Sequence, residues 1–199
     1  MNVFVDILYS ISSFLLVPVM VALLLFLAWG LLELGGFLRE RSTRKDGMEH
    51  WRQFERRILQ GECSLEDFFS MDSLPGFLAK FQEEGPSILR KPIYAAKVSE
   101  DLEIAARGKL GRMSVGIRIG PMLGLMGTLI PMGPALLGLS RGDMEQMAQN
   151  LAVAFSTTVL GLLVGGLFFV MSLSRRRWYA MDLVAVDFLC RIFEEGGGK

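Results

Sequence analysis

The chain has 199 residues, 51% of them hydrophobic, and its 21 lysines and arginines balance 21 aspartates and glutamates. A net charge of zero leaves no nucleic-acid footprint. The two cysteines, Cys63 and Cys190, lack CxxC spacing and the single histidine, His50, stands alone, which argues against a metal site, a resident cofactor or a Cys/His nucleophile pair.

Three stretches are long and apolar enough to cross a bilayer, which takes about 20 residues of helix. The first covers residues 11–38, with Glu33 as its charge. It does not read as a signal peptide, because only Asp6 precedes the apolar run and that run exceeds an h-region. The second covers residues 113–139 and the third residues 151–173. Arg39, Arg41, Arg44 and Lys45 follow the first span. Arg107, Lys109 and Arg112 precede the second, and Arg175, Arg176 and Arg177 follow the third. The other two flanks are poor in cations. The positive-inside rule therefore predicts an external N-terminus, with the middle segment and C-terminus in the cytoplasm.

Between the first two spans the pattern is polar and helical. Met48, Trp51, Phe54, Ile58 and Leu59 recur at three- and four-residue steps among Arg52, Glu55, Arg56 and Arg57. Gly61 is placed to end that helix. Ser64 and Asp67 have capping-box spacing, and Pro75–Gly76 and Gly85–Pro86 read as breaks. A further helix from about residue 88 runs into the second span. After the third span, Trp178, Met181, Val184, Ala185, Phe188, Leu189 and Ile192 form a stripe, with Asp182 and Asp187 between them. The glycine tail 196–199 reads as disorder. The expectation is an all-α integral membrane protein with three transmembrane helices extended into a cytoplasmic helical bundle. It divides into residues 1–38 (N-terminus and first span), 39–112 (cytoplasmic helices), 113–173 (the hairpin of spans two and three) and 174–199 (C-terminal helix and tail).

The hairpin carries the chemistry. Gly116, Gly120 and Gly124 repeat every four residues and Thr128 continues the row. Ala154, Thr158, Gly161 and Gly165 recur at helical spacing in the third span. Small residues on one face let helices approach closely in lipid, so packing is the first reading of both rows. At 1.5 Å per residue, Thr128 lies about 15–18 Å below the outer end of its span and Thr158 about 10 Å below the start of its own. Ser156 and Thr157 add hydroxyls beside Thr158. Hydroxyls orient water and hydrogen-bond carboxylates but do not titrate, and neither hairpin span contains a carboxylate. Protons crossing here need a carrier from another chain. Pro131 and Pro134 point to a bend or a shaped outer vestibule.

The stretches Gly120-Pro-Met-Leu-Gly-Leu-Met-Gly-Thr128 and Ala154-Phe-Ser-Thr-Thr-Val-Leu-Gly-Leu162 resemble the "LGLLGT" and "ALxxTxxGL" motifs of the MotA/TolQ/ExbB proton-channel subunits. The resemblance implies a homo-oligomer, a pentamer, embedded in membrane lipids around a single-span partner like ExbD, TolR or MotB. That partner carries the proton-binding aspartate, and Thr128 and Thr158 match the family's pore-facing threonines. The resemblance also implies an inner-membrane location and conversion of ion-motive force into mechanical work or transport. ExbB-like members often carry a glutamate five residues before the second threonine, where this chain has Val153. After Thr128 the chain reads Leu129-Ile-Pro-Met-Gly-Pro134 instead of the usual continuation. The competing expectation is a structural oligomeric scaffold whose glycines serve association alone. An intramembrane enzyme is disfavoured, since the hydroxyls lack any base to activate them.

Overall fold

The computed structural model describes residues 3–86, 88 and 91–196; the last three residues of the glycine tail fall outside it. Four α-helices follow in order: α1 (Val3–Leu59), α2 (Gly76–Glu83), α3 (Pro92–Ser140) and α4 (Met144–Gly196), with a short 3₁₀ helix, Leu65–Ser70, between α1 and α2. No strand occurs among the described residues. The protein is all-α, and α1, α3 and α4 are each long and apolar enough to cross a membrane. Pro92 opens α3, where its missing N–H costs nothing. The predicted start near residue 88 therefore moves by one turn. Pro121, Pro131 and Pro134 all lie within α3, which continues to Ser140.

The chain forms two compact units, Met1–Leu34 with Arg112–Ser172, and Gly35–Gly111 with Leu173–Lys199. In the first unit, large apolar side chains face outward along the helices: Phe14 and Leu32 are each 79% exposed, with Leu125, Leu129, Phe155 and Val159 also exposed. A water-soluble protein does not present so continuous an apolar surface; these faces belong in lipid or against other membrane helices. The interior is narrow. Phe168 is fully buried at its centre, with Trp29 at 4.7 Å between ring centroids. Its ring takes the space that a side chain at Gly116 would occupy and lies in contact range of Gly30.

The second unit has an aromatic core in which Trp51, Phe54, Phe68, Phe77, Phe81 and Tyr179 are buried together with Val186 and Leu189. The Ser64 capping box forms: Ser64 N–H donates to Asp67 Oδ2 at 2.7 Å, and Glu66 N–H to Ser64 Oγ at 3.3 Å. It starts a 3₁₀ helix rather than an α-helix. Two expected core positions turn outward: Leu59 is 69% exposed and Val184 70%. The buried line on α4 is instead Tyr179, Asp182, Val186 and Leu189, spaced by three, four and three residues, so Asp182 points inward.

Asp182 is fully buried and paired with Arg44, itself buried. Arg44 Nη1 donates to both carboxylate oxygens at 3.2 Å, and Nη2 to Oδ1 and to the Trp178 carbonyl. Phe77 N–H donates to Asp182 Oδ2 at 3.0 Å. That donor belongs to the first turn of α2, which has no side-chain cap of its own, so Asp182 supplies the anion that helix N-termini favour. Gly76 makes the approach possible. Its φ is +54°, and a Cβ there would collide with Asp182 Oδ2. Burial pushes the Asp182 carboxyl up to about 6, against the pull of Arg44 and of the Phe77 N–H.

Candidate ion-pathway hairpin

Helices α3 and α4 are joined by residues 141–143. Gly142 takes the left-handed conformation at φ +73°, and Asp143 Oδ1 accepts from Gln146 N–H at 2.9 Å to cap α4. The two helices then meet along their small residues. A methyl group on Gly161 would lie 2.7 Å from the Gly120 carbonyl oxygen and 2.7 Å from Gly124 Cα. One on Gly165 would lie 2.7 Å from Pro121 Cγ, and one on Gly124 would lie 3.1 Å from the Thr157 carbonyl oxygen. The Gly161 and Gly124 contacts are backbone against backbone, and Gly165 meets the Pro121 ring. Of the five expected packing glycines, Gly120, Gly124, Gly161 and Gly165 sit in this seam, and Gly116 lies beneath the Phe168 ring.

The seam departs from the expected rows at its hydroxyl end. A row of four-residue steps drifts by about 40° each, hence by about 120° from Gly116 to Thr128. Gly127 holds the contact instead: a Cβ there would fall 2.5 Å from Thr157 Oγ1. Thr157 is 4% exposed and belongs to the seam with Ala154, Gly161, Val164, Phe168 and Met171, all buried at alternating three- and four-residue steps. Thr128 and Thr158 are half-buried beside it, and Ser156 is exposed. A heptad-like count back along α4 from Phe168 would have found Thr157 in the sequence, and one along α3 from Gly120 would have found Gly127.

All four hydroxyls donate to carbonyls of their own helix. Thr128 Oγ1 donates to Leu125 O at 2.7 Å, Ser156 Oγ to Ala152 O at 2.7 Å and Thr158 Oγ1 to Ala154 O at 3.0 Å. Thr157 Oγ1 is shared between Val153 O and Ala154 O. Among the described residues no hydrogen bond joins Thr128 to Thr158. With its proton committed to the backbone, each hydroxyl keeps oxygen lone pairs that accept. Such a surface receives a hydrogen bond from water, or from a protonated carboxyl, without exchanging a proton itself. One charged residue escaped the sequence reading: Arg118, the only ionisable side chain in residues 113–139, lies about 7.5 Å into the second span and is exposed.

A family model of the MotA/TolQ/ExbB proton channel family matches residues 83–182, half of the chain, covering α3 and most of α4. No curated protein and no solved structure matches the chain.

Proposed function

The chain belongs to the MotA/TolQ/ExbB proton channel family, and from that premise we propose that it is the ion-conducting subunit of an inner-membrane complex that converts ion-motive force into mechanical work or transport. Copies of the chain, five by family resemblance, surround a single-span ExbD-, TolR- or MotB-like partner whose intramembrane aspartate carries the ion. The proton is the ion favoured by the family. Thr128 and Thr158 supply the polar wall facing that aspartate, and the Gly161–Gly120 seam holds each wall rigid. The N-terminus is external, and the aromatic-cored unit and the C-terminus are cytoplasmic, as the distribution of Arg and Lys supports.

The observation that carries this reading is the pairing of a hydroxyl-bearing hairpin with the absence of any carboxylate in residues 113–139 and 151–173. The hydroxyls can accept a hydrogen bond from a protonated acid but cannot replace one. The driving force is sufficient: one charge crossing 100 mV releases about 2.3 kcal/mol. The test is isolation of the complex from native membranes, followed by proton-flux measurement in liposomes. The expected result is a co-purifying single-span protein with an intramembrane aspartate, and flux abolished when that aspartate becomes asparagine. A homomer with no partner and no flux would instead establish the scaffold.

A further inference from the structure

Beyond ion conduction, the second unit holds a basic recess that the proposed channel does not use. It has a volume of about 310 Å³ and is lined by Arg41, Arg44, Lys45, Arg177 and Trp178. Met48 and Met181 form its apolar edge. Four cations line it and no carboxylate does. Arg41, Lys45 and Arg177 are exposed, and none of the ion pairs found among the described residues includes them. Arg44 is anchored from below by Asp182, and its Nε is buried without a hydrogen-bond partner. Trp178 stacks on Phe37 at 5.1 Å and lies under the Arg44 guanidinium, so the recess has one rigid aromatic wall.

Position along the helices decides what such a recess meets. Arg41 lies three residues beyond the first apolar span, about 4.5 Å along α1, and Arg177 four residues beyond the third, about 6 Å along α4. Those heights are the headgroup layer of the bilayer, where Trp is also favoured. Leaving three cations unpaired around a fourth costs electrostatic self-repulsion unless an anion neutralises them. At this height the abundant anion is the phosphate of an acidic lipid, and basic pockets beside transmembrane helices bind such headgroups. We propose that this recess is a binding site for the phosphate headgroup of an anionic phospholipid, seated between α1 and α4. The three exposed arms contact the phosphate oxygens by charge-assisted hydrogen bonds. Arg44, held in place by Asp182, backs them with a fixed guanidinium whose Nε has no hydrogen-bond partner.

The test uses the full chain in mixed micelles and native mass spectrometry, with phosphatidylglycerol and phosphatidylcholine as probes. The wild-type chain is expected to retain phosphatidylglycerol selectively. Each exposed cation contributes about fivefold to retention, so Arg41→Gln/Lys45→Gln/Arg177→Gln should weaken it on the order of a hundredfold, with melting temperature unchanged. The matched variant Arg39→Gln/Arg112→Gln/Arg176→Gln removes three exposed cations outside the recess and should weaken retention only severalfold. Equal losses in the two triple variants would reduce the effect to diffuse surface charge and overturn the site. Displacement of the lipid by millimolar inorganic phosphate would overturn the lipid as its occupant and leave a soluble-phosphate site.

Discussion

Gly161 and Gly120 meet backbone to backbone: a methyl group on Gly161 would lie 2.7 Å from the Gly120 carbonyl oxygen. No side chain stands between them to move aside, so any Cβ has to push α3 and α4 apart. Gly165→Ala meets the rigid ring of Pro121, whereas a Cβ on the adjacent Gly166 meets nothing within 4 Å. Overpacking costs about 1–3 kcal/mol. Gly161→Ala and Gly165→Ala are therefore expected to lower the melting temperature of the full chain in detergent. Gly166→Ala should leave it unchanged or slightly raised, since alanine is the better helix former. Equal effects at Gly165 and Gly166 would remove the seam from the account.

Phe168 supplies the opposite contact, one large ring over two glycines. Its burial is complete, and it faces Trp29 as well as Gly30 and Gly116. Phe168→Ala leaves a void between α1, α3 and α4 that backbone cannot fill. Removal of a buried phenylalanine costs about 3–5 kcal/mol. The expected result is partial unfolding of the variant at denaturant concentrations that leave the wild type intact. Phe168→Leu should retain most of the stability.

Much of this was legible in the sequence because apolar length and glycine spacing are local signals. The three membrane helices and the hairpin glycines follow from counting alone. What sequence reading missed came from helical drift and from distant partners. Thr128 continues the row of Gly124 in the sequence because a step of four looks periodic, but 3.6 residues per turn carries it off the contact face and brings Gly127 in. Asp182 stands in the sequence only as an acid between apolar neighbours. Its burial depends on Arg44, 138 positions away, and on a left-handed glycine at the start of α2, and no local pattern encodes that meeting. Arg118 gives no signal of its own, because one cation does not disturb the apolar character of its span.

The Arg44–Asp182 pair makes a pH prediction with a definite sign. The Asp182 carboxyl sits at about 6 in the fold against 3.8 for an unperturbed group, so the folded state holds this proton more tightly than the unfolded one. The stability it contributes is fully present below pH 3.8 and is lost as pH rises through 6. The limiting slope is about 1.4 kcal/mol per pH unit. Asp182→Asn should flatten melting temperature against pH in this window relative to wild type. Arg44→Met removes the cation that opposes burial and leaves a buried carboxylate with only the Phe77 N–H, a loss of about 3–5 kcal/mol when the acid is ionised. Its deficit should be greatest at pH 8 and shrink by pH 5. A deficit that is independent of pH, or that grows on acidification, would mean that Arg44 does not stabilise the ionised Asp182 carboxylate.

Thr158 and Thr157 are adjacent, carry the same side chain and have different surroundings, which makes them a test of the proposed pathway. Thr157 is buried against Gly127 within the hairpin, and Thr158 is half-buried beside that seam. Both donate to Ala154 O, Thr157 sharing its proton with Val153 O as well, so valine at either position removes an intrahelical bond and preserves shape. Only at Thr158 does it also remove an acceptor available to the partner's protonated acid. An accepted hydrogen bond worth 1–2 kcal/mol at the limiting step corresponds to about 5- to 30-fold in flux. Thr158→Val in the assembled complex is therefore expected to slow proton flux by that factor with assembly intact. Thr157→Val should change flux less than twofold. If the two variants conduct equally well, the hydroxyl wall does not belong to the pathway, and the glycine seam serves packing alone.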